Sequence, residues 1–111
     1  MKCISLKLMP DYGCHPLWYH AEKVGNVDPH TIPLSQALIR ELEAWAARYD
    51  ARLRRADGAV CVTAAEQLAF ERQGLTLLRK LRQELGPAWR VVYFSDIKNR
   101  LLYAAEESIE D

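Results

Sequence analysis

Hydrophobic and polar positions alternate near the start of the chain, where Ile4, Leu6 and Leu8 fall on one side and Ser5 and Lys7 on the other. A period of two predicts a half-buried strand over Lys2 to Met9. Pro10 ends it, having no N–H to give a ladder. From Ser35, a candidate N-cap, the period lengthens. Leu38, Leu42, Trp45, Tyr49 and Leu53 recur at spacings of three and four, and Ile39 and Ala46 widen the stripe. That pattern predicts an amphipathic helix running to the Asp57-Gly58 turn. Thr63 and Glu66 form a capping box, and the helix they open carries Phe70, Leu77, Leu78, Leu81 and Leu85 on one side. Gly74 shares that stripe at a cost of about 1 kcal/mol in helix propensity. It therefore reads as a place where the other helix, or the sheet, approaches closely. Gly86-Pro87 ends this helix.

Trp89 to Phe94, W-R-V-V-Y-F, reads as a central strand. Ser95 to Asn99 is turn-like, and Leu101 to Ala104 is expected to return as a hairpin partner. The rival is a C-terminal helix through Ile97, Leu101, Ala105 and Ile109. Against it, Glu106, Glu107, Glu110 and Asp111 would crowd the negative end of the helix dipole. Residues 105–111 are therefore expected to form a frayed acidic tail.

The interval 11–33 is different. It is dense in Pro, Gly, Asp and His, with aromatic residues embedded, and reads as one long ordered loop, of a length that is unusual in compact domains and often functional. Leu17, Trp18 and Tyr19 are expected to anchor it to the core, with room for a short extra strand. The order is strand, long loop, helix, helix, strand, strand. This predicts a single α+β domain over residues 1–111, a two-layer sandwich of two antiparallel amphipathic helices on a small, about three-stranded, mainly antiparallel sheet. Because a helical hairpin returns the chain to its starting end, the flanking strands are expected to pair antiparallel.

Composition narrows the function without naming it. The chain has 111 residues, 50% hydrophobic and 27% charged, an ordinary globular balance. Fifteen basic residues are matched by fifteen acidic ones, so the basic excess that phosphate binding draws on is absent and a nucleic-acid partner is not expected. Arg48, Arg52, Arg54 and Arg55 cluster near the end of the first helix, where cations complement the dipole. No apolar run approaches the ~20 residues that span a bilayer, so no membrane role is expected. Cys3, Cys14 and Cys61 are odd in number and scattered, with no secretory segment before them. Free thiols in a reducing cytoplasm are the expectation.

Candidate chemistry concentrates in the loop. Cys14, His15 and His20, with Asp11, Asp28 and His30 nearby, offer metal-ligand types, but C-H-x4-H departs from recurring zinc spacings. A Cys14–histidine nucleophilic pair would lack any marked oxyanion hole. Phosphate cradles of the G-x-G-x-x-G and P-loop kinds are absent. The helical carboxylates, Glu41 and Glu43 among them, read as solvated charges. No cofactor and no enzymatic activity are expected. Trp45 and Trp89 read as core residues. Tyr12, Trp18 and Tyr19, amphipathic aromatics in the loop, read equally well as core anchors or as interface.

The segments Met9-Pro10-Asp11-Tyr12, Pro16-Leu17-Trp18, Asp28-Pro29 and Pro33-Leu34-Ser35 carry a resemblance, together with Trp45, Phe70 with Gly74, Glu84-Leu85-Gly86-Pro87 and Val91 to Phe94. Through them the chain resembles small uncharacterised bacterial proteins similar to the immunity proteins of polymorphic and contact-dependent toxin systems. The resemblance implies a cytoplasmic protein that binds a cognate toxin domain and occludes its active site or an essential surface. The neutral net charge departs from the acidity of many nuclease inhibitors. The expected partner-binding residues are Asp11, Tyr12, His15, Trp18, Tyr19 and Asp28. Two other readings stay open: a small metal-binding protein or enzyme built on Cys14, His15 and His20, and a homo-oligomeric structural or regulatory subunit, such as a homodimer paired through the C-terminal strand edge.

Overall fold

The computed structural model of the protein describes residues 4–21, 23–54 and 63–102. The alternation at the N-terminus becomes β1 (Ile4–Leu8), with Leu6 and Leu8 fully buried. The helical stripes become α1 (Gln36–Arg54) and α2 (Ala64–Leu85). Ser35 caps α1 by accepting the Leu38 N–H on its hydroxyl at 3.2 Å. Glu84, from the last turn of α2, accepts the Ser35 N–H at 2.6 Å and its hydroxyl proton at 2.7 Å. The start of one helix is thus fastened to the end of the other, which fixes them antiparallel. Glu41 and Lys80 add an exposed ion pair at 2.8 Å between the helices. The Thr63–Glu66 capping box forms, and Gly86 stops α2 with φ of 80°.

The sheet differs from expectation in strand number and in direction. Among the described residues it has five strands in the order β3-β2-β1-β4-β5. Here β2 is Leu17–Tyr19, β3 is Gly25–Val27, β4 is Trp89–Ser95 and β5 is Arg100–Leu102. The two extra strands lie inside the interval expected to be one loop, which also holds a 3-10 turn over Pro29–Thr31. They are three residues each, and Gly-Asn-Val shows no alternation to read. Asn26 substitutes for a longer ladder: its side chain accepts the His15 N–H at 3.0 Å and donates to the carbonyls of His15 and Leu17 at 2.7 and 3.0 Å. The expected hairpin at the C-terminal end forms, β5 pairing antiparallel with β4. The frayed-tail expectation for 105–111 lies outside the described residues.

β1 and β4 pair parallel, with Ile4 opposite Trp89 and Leu8 opposite Tyr93. The expectation of antiparallel flanking strands assumed that α1 begins where β1 ends. Instead β2 and β3 turn the chain twice, and Asp28 to Leu34 then carries it back toward the starting end of β1. Ser35 therefore lies beside the end of α2, and the chain leaves α2 at the start of β1, where the Ile4 N–H meets the Ala88 carbonyl at 2.9 Å.

Both helices cover the face carrying Leu6, Leu8, Leu17, Val91 and Tyr93, the centre of the core. At that centre, Trp45 stacks on Phe70 with ring centroids 4.5 Å apart and donates its indole N–H to the Phe70 carbonyl at 3.1 Å. The opposite face carries Lys7, Trp18, Asn26, Arg90, Val92 and Phe94, and no described helix lies over it. Beyond the reach of β5, the Val91 carbonyl accepts from Arg82 Nε and Nη2 at 3.1 and 2.6 Å, so a side chain replaces the missing strand partner.

One helical carboxylate corrects the expectation that all are solvated. Glu71 is 3% exposed. Its two oxygens accept the Tyr93 hydroxyl at 3.0 Å and the Ser95 hydroxyl at 2.5 Å. Burial and the neighbouring Glu71 charge push the Tyr93 phenol well above its ordinary value. A raised value means that this stabilising contribution is full below the unfolded-state value of about 10 and is lost as pH rises through the folded value. Fluorescence-monitored unfolding from pH 8 upward should show stability falling at the alkaline end. Tyr93→Phe should flatten that fall, and an alkaline limb unchanged in Tyr93→Phe would assign it to another group.

Candidate partner-binding surface

The segment joining β1 to β2 is tied at its base and its tip. At the base the Met9 N–H reaches the Pro16 carbonyl at 2.9 Å, and the Trp18 indole donates to the Met9 carbonyl at 2.9 Å. Within the turn, Asp11 accepts the Tyr12 N–H on its carboxylate at 2.8 Å and the Cys14 N–H on its carbonyl at 3.1 Å. Gly13 takes φ of 71°, a conformation that suits glycine, and its N–H reaches Asp50 of α1 at 3.1 Å. A loop so pinned presents its side chains without a large ordering cost on binding.

The six residues expected to bind a partner divide into groups. Asp11, Tyr12 and His15 lie together on this exposed turn, with Tyr12 53% exposed. Asp28 joins them from the end of β3. The His30 backbone N–H, then its ring at 2.9 Å, hold the Asp28 carboxyl below the usual carboxylate range, and the charge of nearby His15 acts in the same direction. Trp18 sits half-buried on the sheet face that no described helix covers, opposite Lys7, whose ammonium is 6.0 Å from the ring centroid. Tyr19 stands apart. Its side of the strand faces the helices, it packs against the core, and Lys23 covers its ring at 4.4 Å.

The metal or nucleophile alternative loses its geometry here. His15 and His20 flank the extended strand β2 and are held at its opposite ends. Among the described residues no three His, Cys, Asp or Glu side chains gather closely enough to hold a metal ion. Cys14 is a free, half-buried thiol whose Sγ points to the Tyr12 carbonyl at 3.6 Å. No described helix is long and apolar enough to cross a membrane.

Between the turn and α1 lies a cleft of about 260 Å³. One wall is formed by residues 13–16, and the other is a stripe of α1 formed by Glu43, Ala46, Ala47 and Asp50. That stripe was legible as an i, i+3, i+4, i+7 set with two small residues between two carboxylates. Ala46 was instead absorbed into the apolar stripe, and Glu43 into the solvated charges.

The turn is pinned to α1 and carries exposed aromatic and acidic side chains. Residues 4–96 match the family model described as Serratia CdiI immunity protein-like. The chain belongs to this family. The match runs from β1 through β4, so the residues of the turn and the cleft lie within the span matched to the CdiI immunity protein-like family. Among curated proteins none matches.

Proposed function

We propose that this protein is an immunity protein that binds a cognate toxin domain and neutralises it by covering the toxin's active site or an essential surface. The family match over residues 4–96 carries the reading. The geometry of the turn supports it, since Asp11, Tyr12, His15 and Asp28 share one exposed end of the sheet, with Trp18 on the adjoining face, half-buried. Protein interfaces draw most of their energy from a few aromatic or arginine anchors ringed by polar contacts, and Tyr12 and Trp18 supply such anchors here. Tyr19 contributes at most its exposed edge. The protein acts by stoichiometric occlusion in the cytoplasm, with no turnover and no cofactor.

The experiment begins with affinity capture of the tagged chain from its native cytosol and mass spectrometry of what stays bound. A toxin domain retained near one-to-one is expected, and its activity should fall in proportion to the chain added until the two are equimolar. Tyr12→Ala and Trp18→Ala should each weaken that complex by roughly 30-fold or more, the scale of about 2 kcal/mol for an interface anchor. Both variants should keep the wild-type circular dichroism spectrum. A captured toxin whose activity is untouched by excess chain would sink the inhibitor reading. Full affinity in both variants would move the interface elsewhere.

A further inference from the structure

The cleft beside the turn has the size and charge of a receptor for a single side chain. Its volume of about 260 Å³ lies below the ~300–1,000 Å³ typical of sites that enclose small-molecule substrates. Its floor is small, with Ala46 and Ala47 leaving room over α1. Its two ends are acidic. Glu43 is exposed and, among the described residues, makes no hydrogen bond or ion pair. Asp50 spends one oxygen on the Gly13 N–H, which fixes the wall of the cleft at the right distance, and leaves the other without a described partner. The two carboxylates are seven residues apart on α1, about 10 Å along its axis, a span that an extended arginine or lysine can lie across. Cys14 and His15 stand on the opposing wall, and Tyr12, next to that wall, offers an exposed ring to the same visitor.

Resting on the immunity reading, we infer that this cleft is the specificity pocket of the interface, and that it accepts an arginine side chain projected by the toxin domain. Arginine fits better than lysine because its planar fork can engage a carboxylate bidentately while its stem covers the alanines. The pocket then discriminates among toxins. A partner offering an apolar or acidic residue at this point leaves Glu43 and Asp50 desolvated and unpaired, which costs it affinity.

The test uses the free protein and N-acetyl-argininamide as the ligand, followed by amide chemical shifts in solution. Saturable shifts are expected at Gly13, His15, Ala46 and Ala47, with weaker saturation for N-acetyl-lysinamide and none for N-acetyl-glutamine amide. Glu43→Gln should reduce the affinity at least several-fold, and Ala47→Leu should abolish the shifts by filling the cleft. Both positions are exposed, so both variants should retain the wild-type melting temperature. Shifts that fail to saturate, that appear equally with the glutamine compound, or that survive Ala47→Leu would overturn the pocket. Because no toxin is present, such failure leaves the inhibitor reading standing. A chain that binds argininamide in this cleft yet leaves its captured toxin active would do the reverse.

Discussion

Gly74→Ala should lower the melting temperature by roughly 8–20 °C, although it replaces the poorest non-proline helix former with the best. A Cβ built at Gly74 would lie 2.7 Å from Trp45 Cζ2, 2.7 Å from Tyr93 Cε1 and 2.7 Å from the Tyr93 hydroxyl. Neither ring is free to give. Trp45 is stacked on Phe70 and bonded to its carbonyl, while the Tyr93 hydroxyl is bonded to Glu71. Overpacking a tight core costs about 1–3 kcal/mol, occasionally more, and two anchored rings place this site at the upper end. The helix-propensity gain of about 1 kcal/mol offsets only part of that. The net loss of about 2 kcal/mol or slightly more sets the temperature range for a domain near 100 residues. A thermal melt of Gly74→Ala at or above wild type would show that the core yields more easily than its hydrogen bonds imply.

Glu71→Ala is expected to cost about 2–4 kcal/mol, measured by denaturant unfolding. Two effects oppose each other at this position. Removing a buried carboxylate relieves its desolvation, and replacing buried charge can even stabilise a protein. Against that, two buried hydroxyls lose bonds worth about 1.5–3 kcal/mol each when the acceptor is charged, and alanine leaves space behind. The lost bonds win because both hydroxyls are nearly sealed from water: Tyr93 is 1% exposed and Ser95 0%. Ser95 Oγ also accepts the Lys98 N–H at 3.0 Å, so the damage should spread into the turn that leads to β5. Glu71→Gln keeps one carbonyl acceptor and should fall between alanine and wild type. If Glu71→Leu proves more stable than wild type, desolvation outweighs the hydrogen bonds and the network is retained for some other reason.

The helices were legible from sequence because each carried several agreeing signals. The stripe from Leu38 to Tyr49, the Ser35 cap, the Thr63–Glu66 box and the Gly86 stop are local, and tertiary packing did not override them. Gly74 was legible for the same reason, since a glycine on an apolar stripe conflicts with propensity and the conflict points to close packing. β2 and β3 were less so. Three-residue strands are too short to show alternation, and the Asn26 side chain that fastens them is indistinguishable in sequence from a turn asparagine. The parallel pairing of β1 with β4 follows from where Asp28 to Leu34 delivers the chain, which no local pattern records. Glu71 escaped notice because a buried carboxylate on a helix looks like any solvated one until its hydroxyl partners, 22 and 24 residues away, are brought to it. At the turn, residue type pointed to Tyr12 and Trp18, but the side of the strand each aromatic occupies depended on a register set by β1. That register is what turned Tyr19 toward the helices.

The central pair of the sheet joins residues far apart in the chain. Ile4 meets Trp89 across 85 positions (89 − 4), whereas Leu8 meets Leu17 across 9 (17 − 8). Closing the longer loop costs roughly 2 kcal/mol more chain entropy than closing the shorter one. The β1–β2–β3 meander and the two-helix hairpin can each assemble from near neighbours, but β4, which locks them together, follows both in the chain. On the ribosome, β1 waits with one edge bare until β4 has followed both helices out. The sheet is therefore closed late in folding, and a chain halted between α2 and β4 keeps a bare strand edge open to pairing with other molecules.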